Sequence, residues 1–208
     1  MSNHEYALLG GLNRAKVGRY LGTMAASVSA FIVFIMLSFS DIAKSLGLPT
    51  NLTPSLMSLI GAGAVFGVLY WIFNRYAWRW PLLNLAVKVP NLSGDWNCEG
   101  STCNTDGSSS YQWNATVTIY QSWDKIRVKL KAEQSGSDSI AAALVCDDDD
   151  GYRLFYNYRN NPRIDAVELK PHIGFGDIIF SKDLKTAEGE YFNGRGRTTF
   201  GTMRLIRK

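Results

Sequence analysis

Two long apolar runs precede a region in which polar and apolar residues alternate. The first run extends from about Tyr20 to Ser40, and the second is densest from Leu56 to Phe73. A helix needs roughly 20 predominantly apolar residues to cross a bilayer. Neither run has the polar face that a helix in a small soluble domain needs. The pattern predicts a two-helix transmembrane hairpin over residues 20–80, with spans at about 20–40 and 56–74.

The region after Val89 alternates with a period of two, which is typical of half-buried β-strands. In Lys125–Glu133, for example, Ile126, Val128 and Leu130 fall on one face and three basic residues on the other. Turn signals separate such segments at intervals of roughly 10 to 15 residues. The eight predicted strands are Ser93–Glu99, Gln112–Gln121, Lys125–Glu133, Ser139–Cys146, Tyr152–Tyr158, His172–Ser181, Glu188–Asn193 and Thr199–Ile206.

Eight sequential strands with short links predict an up-and-down β-barrel, which removes its exposed edges by closing. Such a barrel is just wide enough to hold one small ligand. A two-sheet sandwich fits the same strand pattern and stays open as an alternative. The predicted fold class is thus a membrane-anchored all-β protein. Residues 1–19 precede the hairpin, residues 81–91 form a linker that begins where Pro81 ends the second helix, and residues 92–208 form the barrel.

The distribution of charge predicts the orientation in the membrane. The formal net charge is +4, and the basic excess lies entirely in the apolar, N-terminal part of the chain. Arg14, Lys16 and Arg19 precede the first span, whereas Arg75 and Arg79 follow the second. By the positive-inside rule, the N-terminal segment and the β-barrel are both expected in the cytoplasm. The distribution does not indicate a nucleic-acid-binding face.

The sequence contains no motif that indicates catalysis, so we predict a protein that is not an enzyme and that needs no cofactor. It has neither a Walker-type phosphate loop nor a zinc-protease motif. Its three cysteines are an odd number, and with only two histidines they do not favour a metal site. The acidic run Asp147–Gly151 lacks the closing glutamate of a calcium loop and is interpreted as a turn in which Gly151 adopts a positive φ.

A set of aromatic and amide residues indicates a binding cavity in the predicted barrel. Tyr156 and Tyr158 share a strand face with the apolar Leu154, and Tyr191 shares a face with Asn193. Polar groups that point into a barrel must form hydrogen bonds with each other or with a ligand. Arginine side chains suit phosphate and aromatic faces suit stacked bases, so the set fits an anionic nucleotide. The candidate ligand-binding residues are Gln121, Ser137, Tyr156, Tyr158, Tyr191, Asn193, Arg195 and Arg197.

Small residues recur at intervals of four in both apolar runs. Gly18 and Gly22 lie at the start of the first run, and Gly63 and Gly67 lie in the second. Such rows allow helix backbones to approach closely in lipid. They are candidate contacts for membrane oligomerisation, although the two helices of one chain could use the same rows to pack on each other.

The sequence resembles the two-transmembrane, β-strand-rich effectors of bacterial CBASS antiphage systems, which are encoded beside cyclic-oligonucleotide synthases. The resemblance covers nearly the whole chain, from the short basic N-terminus through both spans to the β domain. The segments that carry it are Leu92–Trp96, Val117–Trp123, Ser135–Ser139, Leu154–Pro162 and Gly189–Arg195.

This resemblance implies a lipocalin-like, eight-stranded barrel that binds a cyclic dinucleotide. It also implies that binding drives homo-oligomerisation in the bacterial inner membrane, disrupts that membrane and kills the infected cell, with no DNA or RNA polymer as partner. Two other functions stay open from the residues alone. One is a membrane-tethered carrier or sensor of a small apolar ligand, and the other is a scaffold with a filled core.

Overall fold

The computed structural model describes residues 2–47, 61–103, 106, 108–147, 151–165, 170–194 and 198–208. The chain forms two compact units. A helical unit comprises Leu12–Leu83, and a β unit comprises Met1–Gly11 together with Asn84–Lys208. Of the predicted N-terminal segment, residues 1–19, Met1–Gly11 belong to the β unit and residues 12–19 to the helical unit.

The helical unit begins with a long apolar helix, α1 (Arg14–Ser45). Asn13 caps it by accepting a hydrogen bond from the Ala15 amide at 2.7 Å. Among the described residues, α1 is the one helix long and apolar enough to cross a membrane. Many of its large apolar side chains are exposed, including Phe31, Phe34 and Phe39, so lipid is the medium that suits them.

A second helix, α2 (Ala62–Arg75), packs on α1. It has 14 residues and covers the latter part of the predicted second span. The start of that span, residues 56–60, lies outside the described residues, so the described structure contains one clear spanning helix rather than a complete hairpin. A short 3₁₀ turn (Ala77–Arg79) follows α2.

In the structure, the region predicted as a linker, residues 81–91, consists of a short helix followed by a segment that packs against the barrel. Pro81 begins helix α3 (Pro81–Val87) instead of starting an extended link, which agrees with the preference of proline for the first position of a helix. The Asn84 Nδ2 donates to the Val89 carbonyl at 2.7 Å. Val89 and Leu92 are fully buried.

The β unit contains nine described strands, not eight. They are β1 (His4–Leu9), β2 (Gly94–Cys103), β3 (Ser109–Gln121), β4 (Lys125–Ala132), β5 (Ser135–Asp147), β6 (Gly151–Pro162), β7 (His172–Phe180), β8 (Thr186–Asn193) and β9 (Phe200–Arg207). From β2 to β9, each strand pairs antiparallel with the next, and β9 pairs back onto β2. The sheet is thus a closed barrel in the order β1-β4-β3-β2-β9-β8-β7-β6-β5.

The strand that the sequence did not predict, β1, lies in the wall between β4 and β5. Those two strands pair directly over a short stretch, Lys129–Lys131 with Gly136–Asp138. Beyond it β1 fills the gap, antiparallel to β4 and parallel to β5. Its His4 imidazole lies 2.7 Å from the Ser139 hydroxyl, next to a register shift in β5.

The apolar core fills one end of the barrel. Trp96 is fully buried, packs edge-on against Phe180 with ring centroids 5.1 Å apart, and donates to the Leu92 carbonyl at 3.2 Å. Trp96 therefore belongs to the core, as its position in the first predicted strand indicated. Gly151, the first residue of β6, has a φ of +92°, which agrees with the positive φ predicted for this glycine.

The buried side chain of β1 tests whether the N-terminal strand is part of the barrel. Tyr6 is 3% exposed, whereas Leu9 at the end of the same strand is 53% exposed. We expect Tyr6→Ala to lower the free energy of unfolding of the β unit by about 3 kcal/mol, because it leaves a cavity, and Leu9→Ala to lower it by less than about 1 kcal/mol. Denaturation of the full chain in detergent, followed by tryptophan fluorescence, measures both. Equal effects of the two variants on the free energy of unfolding would contradict the placement of β1 in the barrel wall.

Candidate ligand-binding cavity

A cavity of about 80 Å³ lies inside the barrel, at the end opposite the Trp96 core. It is bounded by the last residues of β2 and β8 and the first residues of β3 and β7. Its wall combines aromatic rings, hydroxyls and amides with few aliphatic groups. The lining residues are Thr102, Tyr111, Trp113, Leu130, Ala132, Ser135, Ser137, Tyr156, Tyr158, Asn160, His172, Tyr191, Asn193 and Met203.

Four of the aromatic rings lie flat against glycines on the neighbouring strand. The directly paired residues are Trp113 with Gly100, Tyr156 with Gly176, Tyr158 with Gly174, and Tyr191 with Gly201. A Cβ at Gly176 would stand 2.7 Å from the Tyr156 ring, which is closer than such atoms approach. The missing side chain is what leaves room for the ring on the wall.

Three of the lining side chains form a closed hydrogen-bonded group. The Thr102 and Tyr191 hydroxyls are 2.6 Å apart, and the Trp113 indole Nε1–H donates to both, at 3.1 and 3.2 Å. The Trp113 and Tyr191 rings meet edge-on at 5.9 Å. This group fixes the position of two aromatic faces on one side of the cavity.

A second hydrogen-bonded chain lies at the mouth. The Tyr158 hydroxyl donates to Asn193 Oδ1 at 2.7 Å, and Asn193 Nδ2 donates to the Thr199 hydroxyl at 2.8 Å. The Asn193 and Thr199 backbones are also bonded, N to O, at 2.8 Å. The chain therefore joins β6 to the connection between β8 and β9.

Tyr156 differs from its neighbours because its hydroxyl forms no hydrogen bond with any described residue. The side chain is 3% exposed, and its ring lies 5.9 Å from that of Tyr158. Burial raises the pKa of the Tyr156 phenol well above its ordinary value, so the group stays protonated and can donate a hydrogen bond. Tyr156 lines the cavity, so a ligand there can accept a hydrogen bond from this hydroxyl.

His172 supplies a second polar group of this kind. It is buried, and its Nδ1 lies 3.0 Å from the Lys170 carbonyl, which identifies Nδ1 as the protonated nitrogen in the neutral ring. Nε2 has no hydrogen-bond partner among the described residues and is then an acceptor. Ser137 is also buried on this wall.

The structure brings together most of the predicted ligand-binding residues. Ser137, Tyr156, Tyr158, Tyr191 and Asn193 all line the cavity. The predicted Arg195 and Arg197 lie outside the described residues. The sequence reasoning missed Thr102, Trp113, Asn160 and His172, although Trp113 and Thr102 occupy inward positions that strand alternation could have identified.

Gln121 does not line the cavity. It lies at the other end of β3, where its Oε1 accepts from the Leu92 amide at 2.8 Å. Its Nε2 donates to the Pro90 carbonyl at 3.1 Å. The side chain is thus occupied in holding the segment before β2 against the core, and we do not retain it as a ligand contact.

The described residues contain no group of three or more His, Cys, Asp or Glu side chains that could hold a metal ion. Burial, with a smaller contribution from the neighbouring Glu99, raises the pKa of the Cys98 thiol to about 12. That thiol stays protonated at neutral pH and is a poor metal ligand.

The small-residue rows of the two helices face open space. A Cβ placed on Gly18, Gly22, Gly63 or Gly67 would meet no described atom within 4 Å. The buried positions on α1 are instead Val17, Leu21, Ala25 and Ser29, which form an adjacent row, together with Ser40 and Ala43. The alternative in which these glycines mediate packing within one chain therefore does not hold for the described residues.

A strand-rich domain with an aromatic, polar cavity, joined to an apolar helix of spanning length, defines a membrane-anchored receptor. Residues 87–207 match the family model described as Cap15, cyclic dinucleotide receptor domain, and residues 15–79 match the one described as Cap15, TM helices. The chain therefore belongs to the Cap15 family.

Similarity to a curated protein agrees with this assignment. CD-NTase-associated protein 15 of Yersinia aleksiciae is 41% identical over 207 residues, covering 100% of this chain and 98% of that protein. The resemblance to CBASS effectors that the sequence indicated is confirmed.

The pairing of rings with glycines predicts a coupled mutational effect. A Cβ at Gly174 would overlap the Tyr158 ring. We expect Gly174→Ala to destabilise the β unit by about 1–3 kcal/mol, because the ring is forced off the wall. In a Tyr158→Ala background the same substitution should cost little, since the clash is gone.

Gly194→Ala is the matched control, because the nearest atom to its new Cβ, the Ile173 carbonyl oxygen, is at an ordinary 3.4 Å. Urea denaturation of all four variants measures the coupling. Additive effects of Gly174→Ala and Tyr158→Ala would contradict the pairing.

Proposed function

We propose that this protein is an antiphage effector whose cytoplasmic, lipocalin-like β-barrel binds a cyclic dinucleotide inside its lumen. Binding then drives oligomerisation of the transmembrane segments and disruption of the bacterial inner membrane. The family assignment supports the class of ligand. The observation that carries the location of the site is Tyr156, which lines the cavity and whose hydroxyl has no hydrogen-bond partner among the described residues.

The chemistry of the cavity suits a nucleotide. Trp113, Tyr156 and Tyr191 offer faces on which bases stack, a contact worth about 1–3 kcal/mol per base. The Tyr156 hydroxyl can donate a hydrogen bond to an acceptor on a base edge, and the Nε2 of His172 can accept one from a donor. We further assign contacts with phosphate to Arg195 and Arg197, as the sequence predicted.

The lining argues against the two competing functions. A carrier of an apolar ligand needs an aliphatic wall, whereas Leu130, Ala132 and Met203 are the few aliphatic residues here. A scaffold with a filled core needs no polar cavity in its interior. Both alternatives leave the polar groups of the cavity without an explanation.

Binding requires the mouth of the cavity to open. The lumen holds about 80 Å³, whereas sites for ligands of this size measure roughly 300–1,000 Å³. The chain of hydrogen bonds from Tyr158 through Asn193 to Thr199 lies across the mouth. Displacement of that chain by the ligand provides a conformational change that binding can drive.

The position of strand β1 in the sheet supports a topology with two membrane spans and with both termini in the cytoplasm. Residues on either side of the helical unit belong to one closed sheet, so they lie on the same side of any membrane. The chain between them must then cross an even number of times. Since α1 is long enough to span, α2 with the residues before it provides the return. The basic flanks place the sheet in the cytoplasm.

Membrane damage in this proposal needs many spanning segments brought together. A lone hairpin satisfies its own backbone and leaves the bilayer intact. Among the described residues, no atom of another element lies within 4 Å of a Cβ placed on Gly18, Gly22, Gly63 or Gly67, which supports their use in contacts with other copies. Ligand binding promotes assembly to the extent that the assembled state binds the ligand more tightly.

Replacing the Tyr156 hydroxyl tests the ligand site. Tyr156→Phe should leave the stability of the protein unchanged, because the hydroxyl has no partner among the described residues. It should weaken binding about tenfold, through loss of one hydrogen bond worth about 1.4 kcal/mol. Calorimetry of the full chain in detergent with the 3′,3′-linked cyclic dinucleotides of the four bases measures the affinity.

Tyr120→Phe is the matched control, since Tyr120 is 47% exposed on the outer face and should bind as wild type does. Equal affinity of Tyr156→Phe and wild type would remove this hydroxyl from the site. Absence of binding by any member of the panel would overturn the proposed function.

Replacing a glycine of α2 with leucine tests whether the α2 glycine row is needed for clustering and membrane damage. Gly63→Leu or Gly67→Leu should keep wild-type affinity but abolish clustering and dye release from liposomes, because a large side chain keeps the helices of neighbouring copies apart. Ala64→Leu is the matched control, because it adds a large side chain on a neighbouring face of α2. This variant should release dye as wild type does. Undiminished leakage from both glycine variants would remove this row from the mechanism.

A further inference from the structure

A large hollow on the described β unit is outside the barrel. Its volume is about 940 Å³, and it lies over the outer faces of β3, β2, β9, β8, β7 and β6. Side chains that point away from the core line it, four carboxylates and two arginines among them. These charged residues are Glu99, Asp177, Glu188, Glu190, Arg153 and Arg204.

The hollow is negatively charged overall. Arg153 is engaged with the Asp177 carboxylate, which leaves three glutamates with one other arginine, Arg204. An anionic nucleotide is repelled by such a surface, whereas a cationic partner is attracted. The hollow is thus a different kind of site from the cavity inside the barrel.

An exposed aromatic row borders the hollow. Phe192 is 57% exposed and stacks on Phe175 at 5.3 Å, and Phe155 stacks on Phe175 at 6.0 Å. Phe200, opposite Phe192 on β9, is 43% exposed. Contiguous exposed apolar groups rimmed by charge are typical of protein–protein contacts.

The complementary charge lies on another part of the same barrel, the outer face of β4. Lys129 and Lys131 point outward from β4, are exposed, and form no ion pair with any described residue. Arg127 on that strand is neutralised by Asp138 at 2.6 Å. In the closed order of nine strands, β4 is next to β3 at one edge of the hollow and stands four places from β8, which carries Glu188 and Glu190.

We propose that the outer hollow receives the β4 lysine row of a second copy of this chain. The sheet is closed, so the described strands offer no open edge for pairing between copies, and association must occur face to face. A contact between two different surfaces of the chain is heterologous and repeats from copy to copy instead of stopping at a dimer. This inference rests on the proposed function, because it names the surfaces that extend the ligand-driven assembly.

Charge reversal on each surface tests the contact. Glu190→Lys or Lys129→Glu in the full chain, in detergent with the 3′,3′-linked cyclic dinucleotides, should lower the assembled fraction at least fivefold. The combined variant Glu188→Lys/Glu190→Lys/Lys129→Glu/Lys131→Glu should restore assembly, because it makes the hollow net positive and the β4 row net negative, so the attraction returns with its sign exchanged. Mass photometry measures the assembly. Carbodiimide crosslinking of wild type should join a hollow glutamate to Lys129 or Lys131 of another copy.

Lys182→Glu reverses an exposed lysine in a turn outside both surfaces and should assemble as wild type does. Calorimetry on each variant separates this inference from the proposed function, since the reversals should not change nucleotide affinity. Wild type that binds a nucleotide but assembles equally well with either reversal overturns the contact. Loss in both single variants without rescue in the combined fourfold variant shows a different cationic occupant and also overturns it. Wild type that binds no nucleotide overturns the proposed function and this inference together.

Discussion

The interior of the barrel depends on pairing each large aromatic ring with a glycine on the adjacent strand. A ring that meets a glycine can lie along the wall, whereas a ring that meets a side chain must point into the lumen. Four such pairs surround the cavity, and the opposite end is filled by Trp96, Phe180 and their neighbours. One end of the barrel is therefore a core, and the other is a lined cavity with aromatic faces directed inward.

Closure of the sheet imposes a second constraint, which links the β unit to the membrane segment. Strand β1 and strands β2–β9 flank the helical unit in sequence but belong to one sheet. Both connections to the helices leave the β unit at the end of the barrel away from the cavity, since Leu9 pairs with Val145 near the end of β5 and Leu92 precedes β2.

Periodicity of the sequence predicted the strand-rich character of the C-terminal region, because a period of two is imposed by burial of one face. It also placed Tyr156, Tyr158, Tyr191 and Asn193 inside. It could not give the height of a residue along the barrel axis, and for that reason Gln121, which is inward but at the closed end, was wrongly grouped with them. Height follows from the register between strands, which no local pattern contains.

Strand β1 was missed for a related reason. Its six residues carry little periodic signal, and the strands that stabilise it lie more than a hundred residues later in the chain. The glycines opposite the aromatic rings were visible in the sequence, but their partners depend on long-range pairing. Pro81 was read as a helix terminator, whereas the chain uses its fixed φ to begin a helix.

The central claim, that the messenger enters the barrel at the end lined by Trp113, can be measured with fluorine labels. Trp113 lines the cavity, whereas Trp96 and Trp123 are buried at the closed end. The full chain labelled with 5-fluorotryptophan, in detergent, is titrated with the 3′,3′-linked cyclic dinucleotides, and Trp113→Phe assigns the cavity resonance. The account predicts that a binding nucleotide shifts the ¹⁹F resonance of Trp113 and leaves those of Trp96 and Trp123 in place. A nucleotide that binds by calorimetry but leaves the Trp113 resonance unchanged would contradict it.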